Sequence, residues 1–431
     1  MKELFLDRAK EYFGKDYDSF VKKMNEPCTQ GFFLNTLKAS REEILELCDF
    51  GYEESILSSD SFYHHESSIG KSKAYELGLI YPQEIAASLT SKYIDKDDID
   101  VVVDMCAAPG GKTINALNRI GNNCLCICND YSYPRAKELN FNLERFGIDN
   151  VIVTNKSCDD LADELENVAD LVILDAPCSG EGMIRKYPAI LDSYSLNNIQ
   201  SLANTQKSLL ENAYRILKGN GQLVYSTCTF AFEEDEYQVS AFLDRHTDMH
   251  LIPLAEKHSS RLDGTSKLSF INGTEGQFFA IMKKDEDGLH PHHNYLKCIK
   301  DKDAEAFIKD NLNLDHYYLY KRDNHCYLST RELFDMKDNV LRYGIYLGEI
   351  VNKRFEPDHN LYRANSLKGM FRNAYDLSED EYGKYISGNE IGLDRNNGYY
   401  LITYRNHSLG YGKCVNGRLK NKYPKGLRRM V

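Results

Sequence analysis

Apolar positions fall three and four apart in "LFLDRAKEYF" and "DSFVKKM", which predicts amphipathic helices near the start of the chain. Ser40 followed by Glu43 forms a capping box ahead of "EILELCDF". "YPQEIAASLTSKYI" predicts another helix, with Pro82 near its first turn. Between them "GFFLNTLKAS" reads as a strand and turn. Residues 1–95 are therefore expected to form a mostly helical region.

From Ile99 the pattern changes to short apolar runs alternating with helical periods. "IDVVVD", "NCLCICND", "NVIVTN", "DLVILD" and "GQLVYST" predict buried strands. "GGKTINALNRI", "YPRAKELNFNLERFG" and the stretch from Leu196 to Leu217 predict the helices between them. Such alternation implies an α/β domain with a parallel, doubly wound sheet, expected over 96–285. The charged stretch from Lys283 to about His293 reads as a boundary. A small linking segment is expected at 286–340 and a β-rich unit at 341–431, with "GIYLGEIV", "GYYLITY" and "SLGYGKCVNG" as strands.

Composition narrows the class without naming a chemistry. With 42% hydrophobic and 27% charged residues the chain reads as a soluble globular protein. No apolar run is long enough for a membrane span, and the N-terminus lacks a signal-peptide pattern, so a cytoplasmic protein with no membrane partner is expected. The twelve cysteines are then expected as reduced thiols, and no paired C-x-x-C spacing suggests zinc. Cys124, Cys126 and Cys128 alternate like a strand and read as core packing, and "HPHH" at 290–293 reads as an exposed linker, so no metal is expected. The net charge of −12 hides an asymmetry, because no Asp or Glu occurs from Leu401 onward while eight Lys and Arg do. That tail is either a phosphate-facing patch or a solvated end.

In a doubly wound sheet, ligands bind beyond the carboxyl ends of the strands. Asp104 with "MCAAPGGKT", Asp130, Asp175 with Cys178, and Thr227 with Cys228 all come at the ends of predicted strands. A P-loop needs a glycine where this chain has Cys106, and G-x-G-x-x-G is absent. What remains is a turn of small residues that lets a ligand approach the backbone, and an acid about twenty residues on that suits ribose hydroxyls. A cofactor with ribose but no pyrophosphate fits, namely S-adenosylmethionine. A tight turn with a surface acid is the structural alternative.

Each cysteine alone reads more readily as packing. Two at converging strand ends point instead to nucleophilic chemistry. Methylation at carbon 5 of a pyrimidine requires a thiolate to add at carbon 6. A carboxyl group can hold nitrogen 3, and a second thiol can assist when the carbon 5 proton and the first thiolate leave.

"DMCAAPGGKT", "LDAPCSGEG" and "YSTCTF", in this order and spacing, resemble the RNA cytosine-5 methyltransferases of the Sun (NSUN) family. "LGEIVNKRFEPDHNL" and "LGYGKCVNGRLKNKYPKGLRR" resemble the C-terminal extension of its bacterial branch that methylates 16S ribosomal RNA. The resemblance implies a Rossmann-like class I methyltransferase core, an N-terminal helical RNA-contacting region and a C-terminal mixed α/β PUA-like RNA-binding module at 341–431. It makes Cys228 the nucleophile, Cys178 the group assisting product release, and Asp175 the acid between cofactor and base. Cys106, Ala107, Ala108, Pro109, Gly110, Gly111 and Lys112 are expected to line the methionine and ribose side, and Asp130 to hold the ribose. The family's usual acid near the adenine is replaced here by Ser157, with Asp159 nearby. Near Asn35 the family's Arg is missing, which leaves Lys38 as the expected substitute RNA contact. Lys413, Lys420, Lys422, Lys425 and Arg428 are the expected RNA contacts of the tail.

The partner is then structured RNA, as 16S rRNA or the small ribosomal subunit, bound by a monomer. Transfer RNA as substrate, a non-catalytic ribosome-assembly factor and a P-loop hydrolase are the rival readings, the last disfavoured by Cys106.

Overall fold

The computed structural model describes residues 2–66, 68–254, 258–288, 293–352 and 354–429. The chain opens with helices Lys2–Phe13 and Tyr17–Met24. Their apolar faces close an aromatic cluster in which Phe13 stacks on Phe20 at 4.0 Å and Phe20 on Phe270 at 5.1 Å. Phe230, two residues beyond Cys228, lies edge-on to both Phe13 and Phe20. The first helices thereby brace the end of a catalytic-domain strand.

The rest of the N-terminal region adds a small sheet to the expected helices. Strands β1 (Gly31–Leu34), β2 (Tyr52–Glu54), β3 (Ser61–His64) and β4 (Ile80–Pro82) form an antiparallel sheet in the order β2-β3-β1-β4. The strand read at "GFFL" and the Ser40–Glu43 capping box are both present. The helix expected from Pro82 shrinks to Ile85–Ser88 plus a single turn, because Ile80–Pro82 pair with Phe32–Leu34. Pairing with a buried strand overrides a marginal helical period.

The central sheet places β5 (Val101–Asp104), β6 (Leu125–Asn129), β7 (Val151–Thr154), β8 (Ala169–Asp175) and β9 (Leu217–Thr227) parallel, in the order β7-β6-β5-β8-β9. Continuous burial along β5–β8 up to Leu174 reflects helices on both faces. Cys124, Cys126 and Cys128 are buried there as core packing. The antiparallel strands β10 (Met249–Leu251), β11 (Thr265–Leu268) and β12 (Gln277–Lys284) complete the β9 side, with β12 paired to β9. Strand order reverses between β5 and β8, so a crevice opens at their carboxyl ends.

Beyond it come β13 (Tyr318–Arg322), β14 (His325–Ser329), β15 (Val340–Tyr343), β16 (Ile345–Val351) and β17 (Arg354–Pro357). The expected division at 340/341 falls within paired strands. β15 adds to the central sheet through β7, while β16 and β17 join β13 and β14 in a separate four-stranded sheet. Gly344, at φ +56°, turns the chain from one sheet to the other. The last sheet, β18-β20-β21-β22-β19, is built from β18 (Ala374–Leu377), β19 (Ile391–Gly392), β20 (Gly398–Tyr404), β21 (His407–Val415) and β22 (Arg418–Asn421). His290–His292 of the "HPHH" run lie outside the described residues, and His293 packs on Phe334 with ring centroids 3.9 Å apart.

Three units meet over the carboxyl ends of two helices. Arg145 donates to the carbonyls of Tyr75 and Ile80, and Arg363 to those of Glu76 and Arg145. Lys38 belongs to this junction rather than to an RNA surface. It is 6% exposed, and its Nζ donates to the Leu77 carbonyl at 2.8 Å. Burial, with Arg363, Arg145 and Lys368 nearby, holds its pKa well below the ordinary lysine value. Its task is to satisfy a helix-end carbonyl, and the expectation of an RNA contact there is corrected.

Gly78 sits at the centre of this junction with φ +68°, and a Cβ there would lie 1.9 Å from the Arg145 carbonyl oxygen. Gly78→Ala is expected to destabilise the protein by about 3 kcal/mol through backbone strain and overlap. Thermal unfolding measures this, and an unchanged midpoint would contradict the packing described.

Candidate active site

Four strand ends build the site: the carboxyl ends of β5, β6, β8 and β9 with the turns that leave them. β5 ends on Asp104, which is fully buried. Its Oδ2 accepts a 2.6 Å hydrogen bond from Thr113 Oγ1, while Oδ1 has no partner. Burial pushes this carboxyl up to about 7. The turn Cys106–Gly111 then leads into the helix Gly111–Ile120. Gly110 has φ +112°, and a Cβ at Gly111 would come within 2.6 Å of Gln83 Nε2, so larger residues would close the cleft. The carbonyls of Ala108 and Pro109 are held by Arg135 at 2.6 Å and Asn142 at 2.9 Å, both from the helix Tyr133–Phe146.

Lys112, one residue into the helix, reaches across to Asp175 at the end of β8, Nζ to Oδ2 2.7 Å. Asp175 Oδ1 accepts from Ser226 Oγ at 2.8 Å. Burial pulls the Lys112 ammonium down, but the charge and hydrogen bond of Asp175 outweigh it and the pKa rises. The acid is thus fixed by a cation from one strand end and a hydroxyl from another.

Cys178 and Cys228 meet with their sulfurs 3.3 Å apart, and the Cys228 amide donates to Cys178 Sγ at 3.3 Å. The hydrogen bond from Cys178 lowers the Cys228 pKa; burial and the Asp175 charge oppose this and Lys112 adds to it. The same bond, with burial, pushes Cys178 well up, and Glu234 adds to the rise. The pair therefore divides into a thiolate-favouring Cys228 and a protonated Cys178. A thiolate beside a carboxylate–ammonium pair suits nucleophilic attack on an electron-poor ring.

Residues that sequence reasoning did not single out hold the sulfurs in place. Glu234 accepts from the Ser179 amide and from Gln206, each at 2.9 Å. Asp235 accepts from Thr227 Oγ1 at 2.5 Å and pairs with the buried Lys267 at 3.0 Å. The Cys228 carbonyl accepts from the Gly182 amide, and Gly182 packs against Gly276 so closely that a Cβ at Gly182 would lie 2.4 Å from the Gly276 Cα. Arg185 and Glu275, both buried, pair at 2.6 Å. The signal was an acidic run, "EEDE", a few residues past an apolar strand.

A cavity of about 250 Å³ is lined by Cys106, Ala107, Ala108, Pro109, Gly111 and Lys112, and by Asp104, Asp175 and Cys228. Gln83, Met183, Lys186 and Gln277 also line it. Cys178 touches Cys228 but is not part of this wall, and neither are Gly110, Asp130 and Ser157. Asp130, 3% exposed, caps the next turn through the Ser132 amide and lies 3.5 Å from Arg135. Ser157 caps the helix Cys158–Glu164, and its hydroxyl bonds Asp160, so that side chain is already engaged. An open small-residue turn, an unpartnered buried acceptor on Asp104 and a buried acid after β6 suit a nucleoside carrying an ammonium group.

Of the tail cations, Lys420, Lys422, Lys425 and Arg428 are exposed. Lys413 is partly buried over Tyr399, and it faces Lys420 across β21 and β22. Among the described residues no group of three or more potential ligands is placed to hold a metal ion. None of the described helices is long and apolar enough to cross a membrane.

Comparison with known proteins agrees with this architecture. A family model described as 16S rRNA methyltransferase RsmB/F matches residues 92–283. Models of the RsmF N-terminal domain and of the RsmF PUA domain match residues 1–85 and 372–429. The ribosomal RNA small subunit methyltransferase F of Shewanella woodyi is 30% identical over 95% of this chain and 92% of its own length. Its Klebsiella pneumoniae counterpart is 28% identical with the same two coverages. Among solved structures, a methyltransferase homolog protein from Pyrococcus horikoshii aligns with 65% of this chain and 94% of its own, at 29% identity and a TM-score of 0.57. The methyl-transfer crevice, the auxiliary units and these matches agree: the chain belongs to the RsmB/F family of 16S rRNA methyltransferases and is an S-adenosylmethionine-dependent RNA methyltransferase.

Proposed function

We propose that the protein methylates carbon 5 of cytosine in 16S ribosomal RNA, in the cytoplasm, through a covalent bond between Cys228 and the base. The observation that carries this reading is the contact of Cys178 and Cys228 at 3.3 Å beside the Lys112–Asp175 pair. The names of the curated relatives, ribosomal RNA small subunit methyltransferase F, support the choice of RNA.

The target base has to leave its stack to reach sulfur, at a cost of a few kcal/mol. Contacts of tail cations with phosphates offset that cost. Lys413 and Lys420 are like charges side by side on one sheet face, an arrangement that an RNA phosphate would relieve. Asp104 would take the cofactor's ammonium on its spare oxygen, Asp130 would hold the ribose, and the turn at Cys106–Lys112 would seat the methionine chain. When bound, S-adenosylmethionine supplies an electrophilic methyl group.

Cys228 adds its thiolate to carbon 6, which moves an electron pair onto the ring and makes carbon 5 nucleophilic. Asp175, held by Lys112 and Ser226, faces the polar edge of the base and steadies the charge displaced there. After carbon 5 is methylated its proton is lost to a base, the ring double bond re-forms, and the carbon 6–sulfur bond breaks to return the thiolate. With Cys228 bonded to carbon 6, Cys178 no longer shares its proton with a thiolate; once that proton has gone to solvent, the Cys178 thiolate takes the carbon 5 proton.

Cys228→Ala is expected to lower methyl transfer by roughly a thousandfold or more while leaving RNA binding intact. Cys178→Ala is expected to accumulate RNA bonded to Cys228, seen as a denaturation-resistant band. Absence of that band, or its persistence in the double variant, would overturn the division of roles.

The Cys178 hydrogen bond lowers the Cys228 pKa and the Lys112 charge adds to it, against burial and the Asp175 charge, so the thiolate persists below the ordinary thiol range and is lost as pH falls through the lowered value. Lys112→Met should move the acid limb of the rate profile up by about one unit. An unmoved limb would remove the lysine from thiolate stabilisation.

A further inference from the structure

A second cavity, of about 550 Å³, opens where the N-terminal unit, the helix Tyr133–Phe146 and the C-terminal tail meet. Tyr75 and Glu76 form one wall, and Phe141, Glu144 and Arg145 another. His359 and Arg363 close the inner end, and Pro424 with Gly426 to Arg429 supply the tail side.

Its chemistry is unbalanced toward positive charge. Arg145 is 5% exposed and stacks its guanidinium 3.8 Å above Tyr75, yet its Nε and Nη2 have no hydrogen-bond partner. Arg363 Nε and both ring nitrogens of His359 also lack partners. Burial pulls Arg145 down only to about 10, so it remains a cation at neutral pH. The neighbouring acids do not cancel it. Burial raises Glu144 to about 7 and raises Asp358, while Glu76 is engaged by Arg429 and Tyr423. At the mouth, Phe141 is 39% exposed and Arg428 is exposed.

An inorganic anion would leave most of this volume and the exposed face of Phe141 unused. Buried cations along the wall, an exposed arginine at the mouth and an open aromatic ring together match a base with its sugar phosphate. We propose that this cavity is a second nucleotide site, distinct from the cleft of Cys228, with the base against Phe141 and the phosphate at Arg428. In an RNA methyltransferase the natural source is an unstacked nucleotide of the same RNA, outside the target cytosine. A free nucleoside monophosphate has the same chemistry. The site is not remote in effect: Arg135 and Asn142, on the helix that carries Phe141 and Arg145, hold the carbonyls of the cofactor-side turn. An occupant would therefore press on the element that orders that turn.

The chain has no tryptophan, so Phe141→Trp installs the only one at the mouth, excited at wavelengths beyond the tyrosine absorption. The full-length variant would be titrated with a short single-stranded RNA and, separately, with adenosine and cytidine 5′-monophosphates. Saturable quenching by RNA is expected, weakened about tenfold by Arg428→Ala at low salt and less so at high salt. Quenching by the monophosphates alone would assign the site to the soluble nucleotide pool. No change with either probe, or quenching indifferent to Arg428→Ala, would overturn the proposal. Phe141→Ala adds a check free of the reporter, with KM for RNA expected to rise about tenfold and kcat to hold. The titration is done in the Cys228→Ala background as well, so a failure here is separate from a failure of the adduct chemistry.

Discussion

Two sulfur atoms 3.3 Å apart in a half-buried setting cannot both readily carry a charge, and the rest of this site depends on that limit. One sulfur has to stay protonated if the other is to be a nucleophile. The bond between the two sulfurs is the largest influence on both, lowering Cys228 and raising Cys178; Lys112 lowers Cys228 further, against the charges of Asp175 and Glu234, and Glu234 also raises Cys178. The contact exists because β8 and β9 are adjacent and parallel, with Asp175 opposite Ser226, so the loops beyond them emerge together. No residue in either strand would achieve this alone.

Holding two loops to that tolerance requires support from outside the Rossmann-like core. The aromatic cluster of the first two helices presses on Phe230, and the buried Arg185–Glu275 pair ties the loop after Cys178 to the start of β12. Thr29 of the N-terminal region donates to the same Glu275. On the other side, Arg145, Arg363 and Lys38 neutralise the carboxyl ends of helices from separate units. The N-terminal and C-terminal pieces are thus parts of one folded body around the crevice, which is why the turn at Cys106–Lys112, the tail and the sulfurs can be linked mechanically.

The core was legible because its signals are local. Apolar runs ending in Asp104, Asp130, Asp175 and Cys228 mark strands and their ligand-facing ends directly. The rest depends on partners that a linear pattern does not name. Ile80–Pro82 form a strand because Phe32–Leu34 lie beside them, and Val340–Tyr343 leave their sequence neighbours to pair with β7. Lys38 looked like a phosphate contact until its carbonyl partner and the two arginines placed it inside. Ser157 stands where an acid was expected but is occupied as a helix cap. The supporting acids Glu234 and Asp235 were not singled out in the sequence, because only their burial beside the cysteine loops distinguishes them from surface charge.

The central claim is that Cys228 is the thiolate and Cys178 its hydrogen-bonded donor. Alkylation by iodoacetamide across pH, read by mass spectrometry at each cysteine of the wild-type protein, tests it most directly. The account predicts that Cys228 reacts first, with an inflection below that of a free thiol near ~8.5, and that Cys178 stays unmodified through the neutral range. Preferential modification of Cys178, or equal rates at the two sulfurs with an ordinary inflection, would contradict it.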